Sequence, residues 1–319
     1  MNTMNNLLYM SPTGDGWKNL AADEWFLDHL PEDTVLLYFY INDNAVIIGK
    51  NQNPWRECDL TAMEQDGVQL VRRVSGGGAV YHDGGNLNFS FIASRTRYDE
   101  QKQFELILQA IRSLGIACEF SGRNDLLAEG RKFSGNAFCH RGPNCQHHGT
   151  LLVDADMGRL QRYLKPDPRK LRAKGVASVR SRVCNLKELC PGLTAEAVRR
   201  AVADSYRAAF GGCEIWEPDA AGVAAYYEKQ RSWEWRMGKT PPFDVELEER
   251  FPWGGVQLLL TLEAGRVSGL EVYSDAMDAG LPERLRSLLT GRKMDELSGP
   301  LRGTGDPQLA DLAGWLENL

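Results

Sequence analysis

No apolar run in the 319 residues approaches the about 20 needed to cross a bilayer, so no membrane role is expected. No apolar stretch of the signal-peptide kind stands near the first basic residue, Lys18, and no low-complexity tract breaks the chain. The seven cysteines (Cys58, Cys118, Cys139, Cys145, Cys184, Cys190 and Cys213) contain no CxxC pair. Their odd number, without an export signal, points to reduced thiols and a cytoplasmic location. Positive charge is in short supply: 37 Lys and Arg against 43 Asp and Glu give a net charge of −6. A protein built to coat nucleic acid is usually basic, so no nucleic-acid partner is expected. Two phosphate-binding signatures are missing. Gly238-Lys239-Thr240 has Trp233 where a Walker loop needs glycine, and Gly76-x-Gly78 is followed by Tyr81 where a dinucleotide fingerprint needs glycine.

What is present is a mixed α and β pattern. Helical spacing covers Trp17 to Leu30, Gln101–Leu114, Asp156–Leu164 and a segment from a Thr194 cap to Phe210. Val35–Ile41 and Ala45–Ile48 flank Asn42-Asp43-Asn44 and read as a hairpin. Val68–Val74, Leu87–Ala93 and Gly149–Val153 read as strands. Asp125–Ala128 and Lys132–Phe138 read as a second hairpin about Glu129-Gly130. The Pro241-Pro242 pair marks a joint. Beyond it, Val256–Leu262 and Val267–Val272 form a hairpin about Ala264-Gly265, followed by helix-like segments at Pro282–Leu289 and near the C-terminus. Residues 243–319 carry 14 acids and 7 bases, which suggests a small acidic α+β domain after a larger one. Residues 158–182 run against this balance, with nine Lys and Arg and one acid. That strip is either a solvated face or a landing surface for phosphate or an acidic protein.

Chemistry concentrates in three stretches. Arg72-Arg73-Val74-Ser75-Gly76-Gly77-Gly78-Ala79-Val80-Tyr81-His82-Asp83 places a glycine triplet between β-type segments. Exposed amides, two arginines and the Ser75 hydroxyl together favour an anion site. In the second stretch, Lys132 follows a turn and precedes small residues that leave room for a ligand beside its ammonium. The third stretch holds Cys139, His140, Cys145, His147 and His148. Its order and spacing match no standard zinc site. A cysteine nucleophile beside a histidine is an alternative there, against a plain buried thiol.

These stretches occur in one order. They are joined by Asn51-Gln52-Asn53-Pro54-Trp55, Gly122-Arg123-Asn124-Asp125, Arg131-Lys132-x-Ser134-Gly135-x-Ala137, His147-His148-Gly149-Thr150-Leu151-Leu152 and Lys174–Val183. Together they closely resemble the lipoate–protein ligases of the biotin/lipoate ligase family, in the two-domain form. The resemblance implies an α+β fold. A catalytic domain over 1–242, related to class II aminoacyl-tRNA synthetases, precedes a small α+β accessory domain over 243–319. It implies that lipoate, or octanoate in its place, and ATP with Mg²⁺ give lipoyl-AMP or its octanoyl counterpart, which a lysine of an acceptor then attacks. The acceptors implied are the lipoyl domains of 2-oxoacid dehydrogenase complexes and the glycine-cleavage H protein. Residue by residue, it implies Lys132 as the catalytic group touching both substrates. Arg73, Gly78, Ala79, Val80 and Tyr81 would hold ATP, and Arg72, Ser75, Gly77 and His82 would hold lipoate. Asn124 and Asp125 would lie near the nucleotide, with Asp125 a magnesium ligand. Leu20–Ala22 and Val46–Gly49 are expected to line an apolar tunnel for the acyl tail. A cysteine-thioester acyltransferase remains the alternative, and a nucleic-acid-binding protein using the basic strip a third reading.

Overall fold

Alternation along the strands writes two cores, one on each face of a central sheet. In β2 (Val35–Ile41) the residues Val35, Leu37 and Phe39 join one core, while Leu36, Tyr38 and Tyr40 join another. A period of two sends neighbours to opposite faces, and a strand covered on both sides then reads as one apolar run. The computed structural model describes residues 5–122, 124–165, 183–237, 243–263 and 265–317.

Eight strands make the central sheet, in the order β11, β1, β2, β6, β10, β9, β8, β7. They are β1 (Asn6–Met10), β2, β6 (Asn86–Ser94), β7 (Cys118–Phe120), β8 (Asp125–Ala128), β9 (Arg131–Arg141), β10 (Asn144–Leu152) and β11 (Glu214–Ile215). The sheet is mixed: β1 runs parallel to β2 and β11, and the other pairings are antiparallel. Helices α4 (Glu100–Ser113) and α7 (Ala195–Phe210) cover one face through Phe104, Ile107, Ile111, Val198 and Val202. Helix α1 (Gly16–His29) covers the other through Leu20, Phe26 and Leu27. Between these helices lie α2 (Pro54–Glu57), α3 (Leu60–Gln65), α5 (Met157–Tyr163) and α6 (Leu186–Leu189). Helix starts follow cap chemistry, with side-chain oxygens accepting orphan amides. Asp15 caps α1, Asp99 caps α4, Asp156 caps α5 and Thr194 caps α7.

The turn at Asn42-Asp43-Asn44 does not make the expected hairpin. It passes the chain from β2 into a separate three-stranded sheet of β3 (Asn44–Ile48), β4 (Gln69–Arg72) and β5 (Val80–Asp83). There β3 pairs parallel to β4 and antiparallel to β5. Glu129-Gly130 does close a hairpin between β8 and β9, with φ of +50° and +72° at its two residues. Gly149–Val153 proves to be the end of the longer β10, which pairs with β9 through Cys139 and Gln146.

Helices α8 (Ala220–Arg231) and α9 (Trp233–Met237) follow β11. From Val245 on, β12 (Val245–Phe251), β13 (Gly254–Glu263) and β14 (Arg266–Ser274) form an antiparallel meander. It packs with α10 (Leu281–Leu289) and α11 (Pro307–Glu317) around Leu258, Leu260, Val272, Leu285 and Leu312. This unit docks on the first by backbone hydrogen bonds, Ser274 N to Asn51 O at 2.7 Å and Gly77 N to Ala276 O at 2.9 Å. Arg56 adds an ion pair to Glu248 at 2.9 Å. The 239–242 joint, and the basic strip beyond Lys165 as far as Arg182, lie outside the described residues. Among the described residues, no helix is long and apolar enough to cross a membrane.

Candidate active site

A cavity of about 190 Å³ opens between the two sheets. Leu20, Tyr40 and Ile47 give it an apolar wall. Lys132, Asn124, Asn88, Asn136, Thr150, His82 and His148 supply polar groups, and Gly77, Gly78, Ala79 and Val80 form one edge. The glycine loop, Lys132 and His82 therefore meet at one place. Of the expected tunnel residues, Leu20 and Ile47 reach it, whereas Val46 and Ile48 face a different core with Met63 and Tyr163.

Lys132 is the second residue of β9, just after the Glu129-Gly130 turn. Its ammonium lies 2.7 Å from the Asp125 carboxylate. A bulge between Leu126 and Leu127 shifts the β8–β9 register at this point. Gly135 leaves room beside it: a Cβ there would lie 2.9 Å from both Cε and Nζ of Lys132, and the lysine stem would have to swing aside. Asn124 and Asn136 cross-link the next positions, with Asn124 Nδ2 donating to Asn136 O at 3.0 Å and Asn136 Nδ2 donating to Asn124 O at 2.9 Å.

The two arginines serve differently from the expectation. Arg72 is buried and donates five times to backbone carbonyls. Its Nε reaches Trp235 O, Nη1 reaches Gly49, Lys50 and Gln52 O, and Nη2 reaches Arg236 O, at 2.7–3.1 Å. Its guanidinium is turned to these carbonyls and does not border the cavity, so in this structure Arg72 is a staple. Arg73 borders the cavity, yet it donates to Gly76 O, Gly78 O and Ile47 O. It shapes the loop from inside. Burial lowers both guanidiniums to a pKa of about 10, still cationic at neutral pH.

Each loop glycine has its own reason. At Gly76 a Cβ would meet Met277 O at 2.4 Å, because the 276–277 backbone packs on it. Gly77 sits at φ +92°, which a β-branched residue would occupy only with strain. The Gly77 amide is already held by Ala276 O, so that amide is not free for an anion. Ser75 is fully buried behind the loop, with its Oγ 2.6 Å from His148 Nε2, and braces that ring instead of facing the cavity. Tyr81 points to the opposite side of its strand, where its hydroxyl donates to Asn44 and its ring lies 5.3 Å from Tyr163.

His82 lines the cavity, and its tautomer follows from its neighbours. Asn19 Nδ2 lies 2.9–3.0 Å from Thr13 O, Ile41 O and Asn42 Oδ1, so Asn42 turns its oxygen to that donor and presents its Nδ2 to His82 Nδ1 at 3.1 Å. His82 Nδ1 then accepts, and the proton sits on Nε2. That buried nitrogen has no hydrogen-bond partner. Burial pushes the His82 pKa down to about 3, with Arg73 adding to the effect, so the ring is neutral at ordinary pH.

The Cys/His stretch is split by strand alternation. His147 points into the α4-side core, between Gln103 Oε1 and Asn136 Oδ1 at 3.0 Å each, while His148 borders the cavity. Cys145 is buried beside His140 Nδ1 at 3.1 Å, and burial raises the thiols of Cys139 and Cys145. No group of three or more potential metal ligands occurs among the described residues. Sequence reasoning passed over Tyr40, Asn88, Asn136 and Thr150 as cavity residues, although period-two spacing from Tyr38 and His148 places them on that face. It also passed over Met277, about 200 positions away from the loop that it touches, for which no local signal exists.

Comparisons with known proteins match this geometry. Residues 15–207 fit the model of the lipoyl protein ligase A/B catalytic domain, and residues 240–298 that of the bacterial lipoate protein ligase C-terminus. LipL1 of P. falciparum, solved with lipoate, is 25% identical with a TM-score of 0.86, over 98% of this chain and 100% of that one. A bipartite lipoate protein ligase from Thermoplasma acidophilum, studied with its E2 lipoyl domain, is 30% identical with a TM-score of 0.66, over 76% of this chain and 100% of that one. A lipoate-protein ligase A bound with ATP is 29% identical with a TM-score of 0.63, over 73% and 98%. The chain belongs to the lipoate protein ligase family, in the form that joins the catalytic fold to the small C-terminal unit.

Proposed function

We propose that the cavity between the two sheets is where this ligase activates lipoate with ATP and hands the lipoyl group to an acceptor lysine. The chain is an ATP-dependent lipoate–protein ligase. The observation that carries the site assignment is Lys132, which faces a cavity walled on one side by Leu20, Tyr40 and Ile47 and bordered on another by the glycine loop. An acyl chain needs the first wall, and a polyanion needs the cation and the loop.

Bringing a carboxylate to an α-phosphate joins two anions, so the site must supply positive charge. Lys132 supplies it once substrates displace its contact with Asp125. One ammonium on a flexible stem can follow the carboxylate oxygen and the phosphate through both steps. Arg73 acts through the Gly76 and Gly78 carbonyls, holding the loop in the shape that receives ATP at Gly78, Ala79 and Val80. Tyr81 contributes backbone, and Arg72 keeps the 49–52 segment and α9 in register with β4. Asn124 stands beside the nucleotide. Magnesium fits this donor set as a substrate-borne ion. Asp125 is the carboxylate that would hold it, with phosphate oxygens supplying the remaining ligands. When bound, the ion neutralises phosphate charge. The acceptors are the lipoyl domains of 2-oxoacid dehydrogenase complexes and the glycine-cleavage H protein, whose lysine attacks the mixed anhydride and releases AMP. All seven cysteines are free, which suits a reducing cytoplasm. Exchange of labelled pyrophosphate into ATP, dependent on lipoate, tests the adenylation step without any acceptor. No exchange by folded protein would refute this reading.

A further inference from the structure

We propose that the acceptor domain docks on an exposed band of aromatic rings and cations built by α2, α8, α9 and the start of α1, and meets it with a carboxylate-bearing face. This inference rests on the function proposed above and deepens it by placing the macromolecular partner.

Trp55 in α2 and Trp233 in α9 are 47% and 57% exposed, and their rings meet edge to face with centroids 6.2 Å apart. Arg236 stands one turn on from Trp233 along α9, and its guanidinium lies 5.5 Å from the centre of the Trp17 ring. Beyond it, Lys18 and Arg231 both reach over the Tyr227 ring, at 5.8 and 5.4 Å. Each contact leads to the next, so rings and cations alternate over one surface. Exposed arginines elsewhere are spent on carboxylates: Arg56 on Glu248, Arg131 on Glu188 and Arg199 on Glu196. In the band, Lys18 and Arg236 form no ion pair among the described residues, and Arg231 has only an exposed contact with Glu228 at 3.6 Å. Burial, with the Arg231 charge adding to it, lowers the pKa of Arg236, as like charges held close require.

Cations laid on rings instead of acids stay open to a partner's carboxylates, and tryptophan and arginine are the side chains that most often dominate binding at protein interfaces. The whole chain carries a net charge of −6, so an acidic partner is repelled over most of the surface and admitted where cations gather. The same net charge disfavours nucleic acid as the occupant. The band also adjoins the site. Arg72 ties α9 to the 49–52 segment. Lys50 N donates to Ser75 O at 2.8 Å at the foot of the glycine loop. Trp55 follows five residues on, and so stands at most about 18 Å from Lys50. A standard interface covers about 800 Å² on each partner, a patch about 30 Å across. A domain seated on the tryptophans can therefore also bring a lysine to the loop edge of the cavity.

The test measures ligation with an unmodified lipoyl domain as the varied substrate, beside acceptor-free pyrophosphate exchange. Lys18→Glu with Arg231→Glu reverses two exposed charges, and Trp55→Ala with Trp233→Ala removes the exposed rings. Each pair should raise the KM for the acceptor about ten-fold with kcat little changed. Both should keep parental exchange, which also shows that they are folded. Added salt should raise the parent's acceptor KM and narrow its gap to the charge-reversal pair, because screening acts on exposed charges. A second measurement needs no variant. Carbodiimide coupling of the parent mixed with the lipoyl domain should join a carboxylate of that domain to Lys18, located by peptide mass spectrometry. An unchanged acceptor KM in both pairs with exchange intact, or coupling confined to lysines outside the band, overturns the proposal while the ligase activity stands. Binding of a single-stranded RNA that both pairs abolish, with acceptor KM unmoved, makes the band a nucleic-acid surface and overturns it too. Absence of exchange by the folded parent overturns the ligase reading and this inference together.

Discussion

Replacing Arg72 by lysine separates two roles for this side chain. If it bound substrate anions, Arg72→Lys would keep the charge, preserve stability and weaken binding. The structure gives it five backbone carbonyls, contributed by Gly49, Lys50, Gln52, Trp235 and Arg236. A lysine has three donors on one nitrogen and cannot span the fork of a guanidinium. At least two carbonyls lose their partner, and at about 1–3 kcal/mol each the loss is about 2–6 kcal/mol. Equilibrium urea unfolding of the full chain reads this directly. At the slopes usual for proteins the midpoint should drop by about 1 M or more. The Trp235 environment should change as well, since its indole donates to Arg72 O at 2.9 Å. A midpoint within experimental error of the parent, with lipoate and ATP affinity lost, would refute the staple and restore the substrate role.

Lys132→Ala should cut lipoate-dependent exchange by about 10²–10³-fold, the cost of losing one charge-stabilising donor. Its thermal midpoint should hardly move, since a partly exposed pair with Asp125 is worth under about 1 kcal/mol. Cys139→Ala and Cys145→Ala should both retain ligation, because activation proceeds through an adenylate. An acyl group trapped on either cysteine, seen by intact mass, would favour the thioester transferase instead. Stability should fall as pH drops below about 6.5, where unfolded histidines take up protons while the buried His82, His147 and His148, with depressed pKa values, stay neutral. Asp23 opposes this: burial raises it to about 7, so it holds a proton that the unfolded chain has lost above about pH 4. Urea midpoints taken against pH should therefore fall more steeply toward acid in Asp23→Asn than in the parent. Asp23→Asn should also gain stability at pH 8, and equal slopes would contradict the assignment.

Features written within a few residues of each other were legible in the sequence. The Thr194 cap and the Glu129-Gly130 turn are local chemistry, and each stands where expected. Lys132 after a turn and beside small residues was legible for the same reason. The turn at Asn42-Asp43-Asn44 was misread because a turn signal does not say which sheet the next strand joins. Asn42 instead orients His82 from 40 residues away. Arg72 was ambiguous because an arginine pair before glycines looks the same whether its partners are phosphates or carbonyls. Two of those carbonyls come from α9, more than 160 residues on. The apolar wall of the cavity was only half visible, since Leu20 and Ile47 also read as core.

The most direct test of the whole account is ligation itself. Purified protein is incubated with lipoate, ATP, Mg²⁺ and an unmodified lipoyl domain, and the acceptor is weighed intact. The account predicts the mass of one lipoyl group added at a single lysine, one AMP released per acceptor modified, and no addition when ATP is withheld. An acceptor that stays unmodified in the presence of folded protein, or one that is lipoylated equally well without ATP, would contradict it.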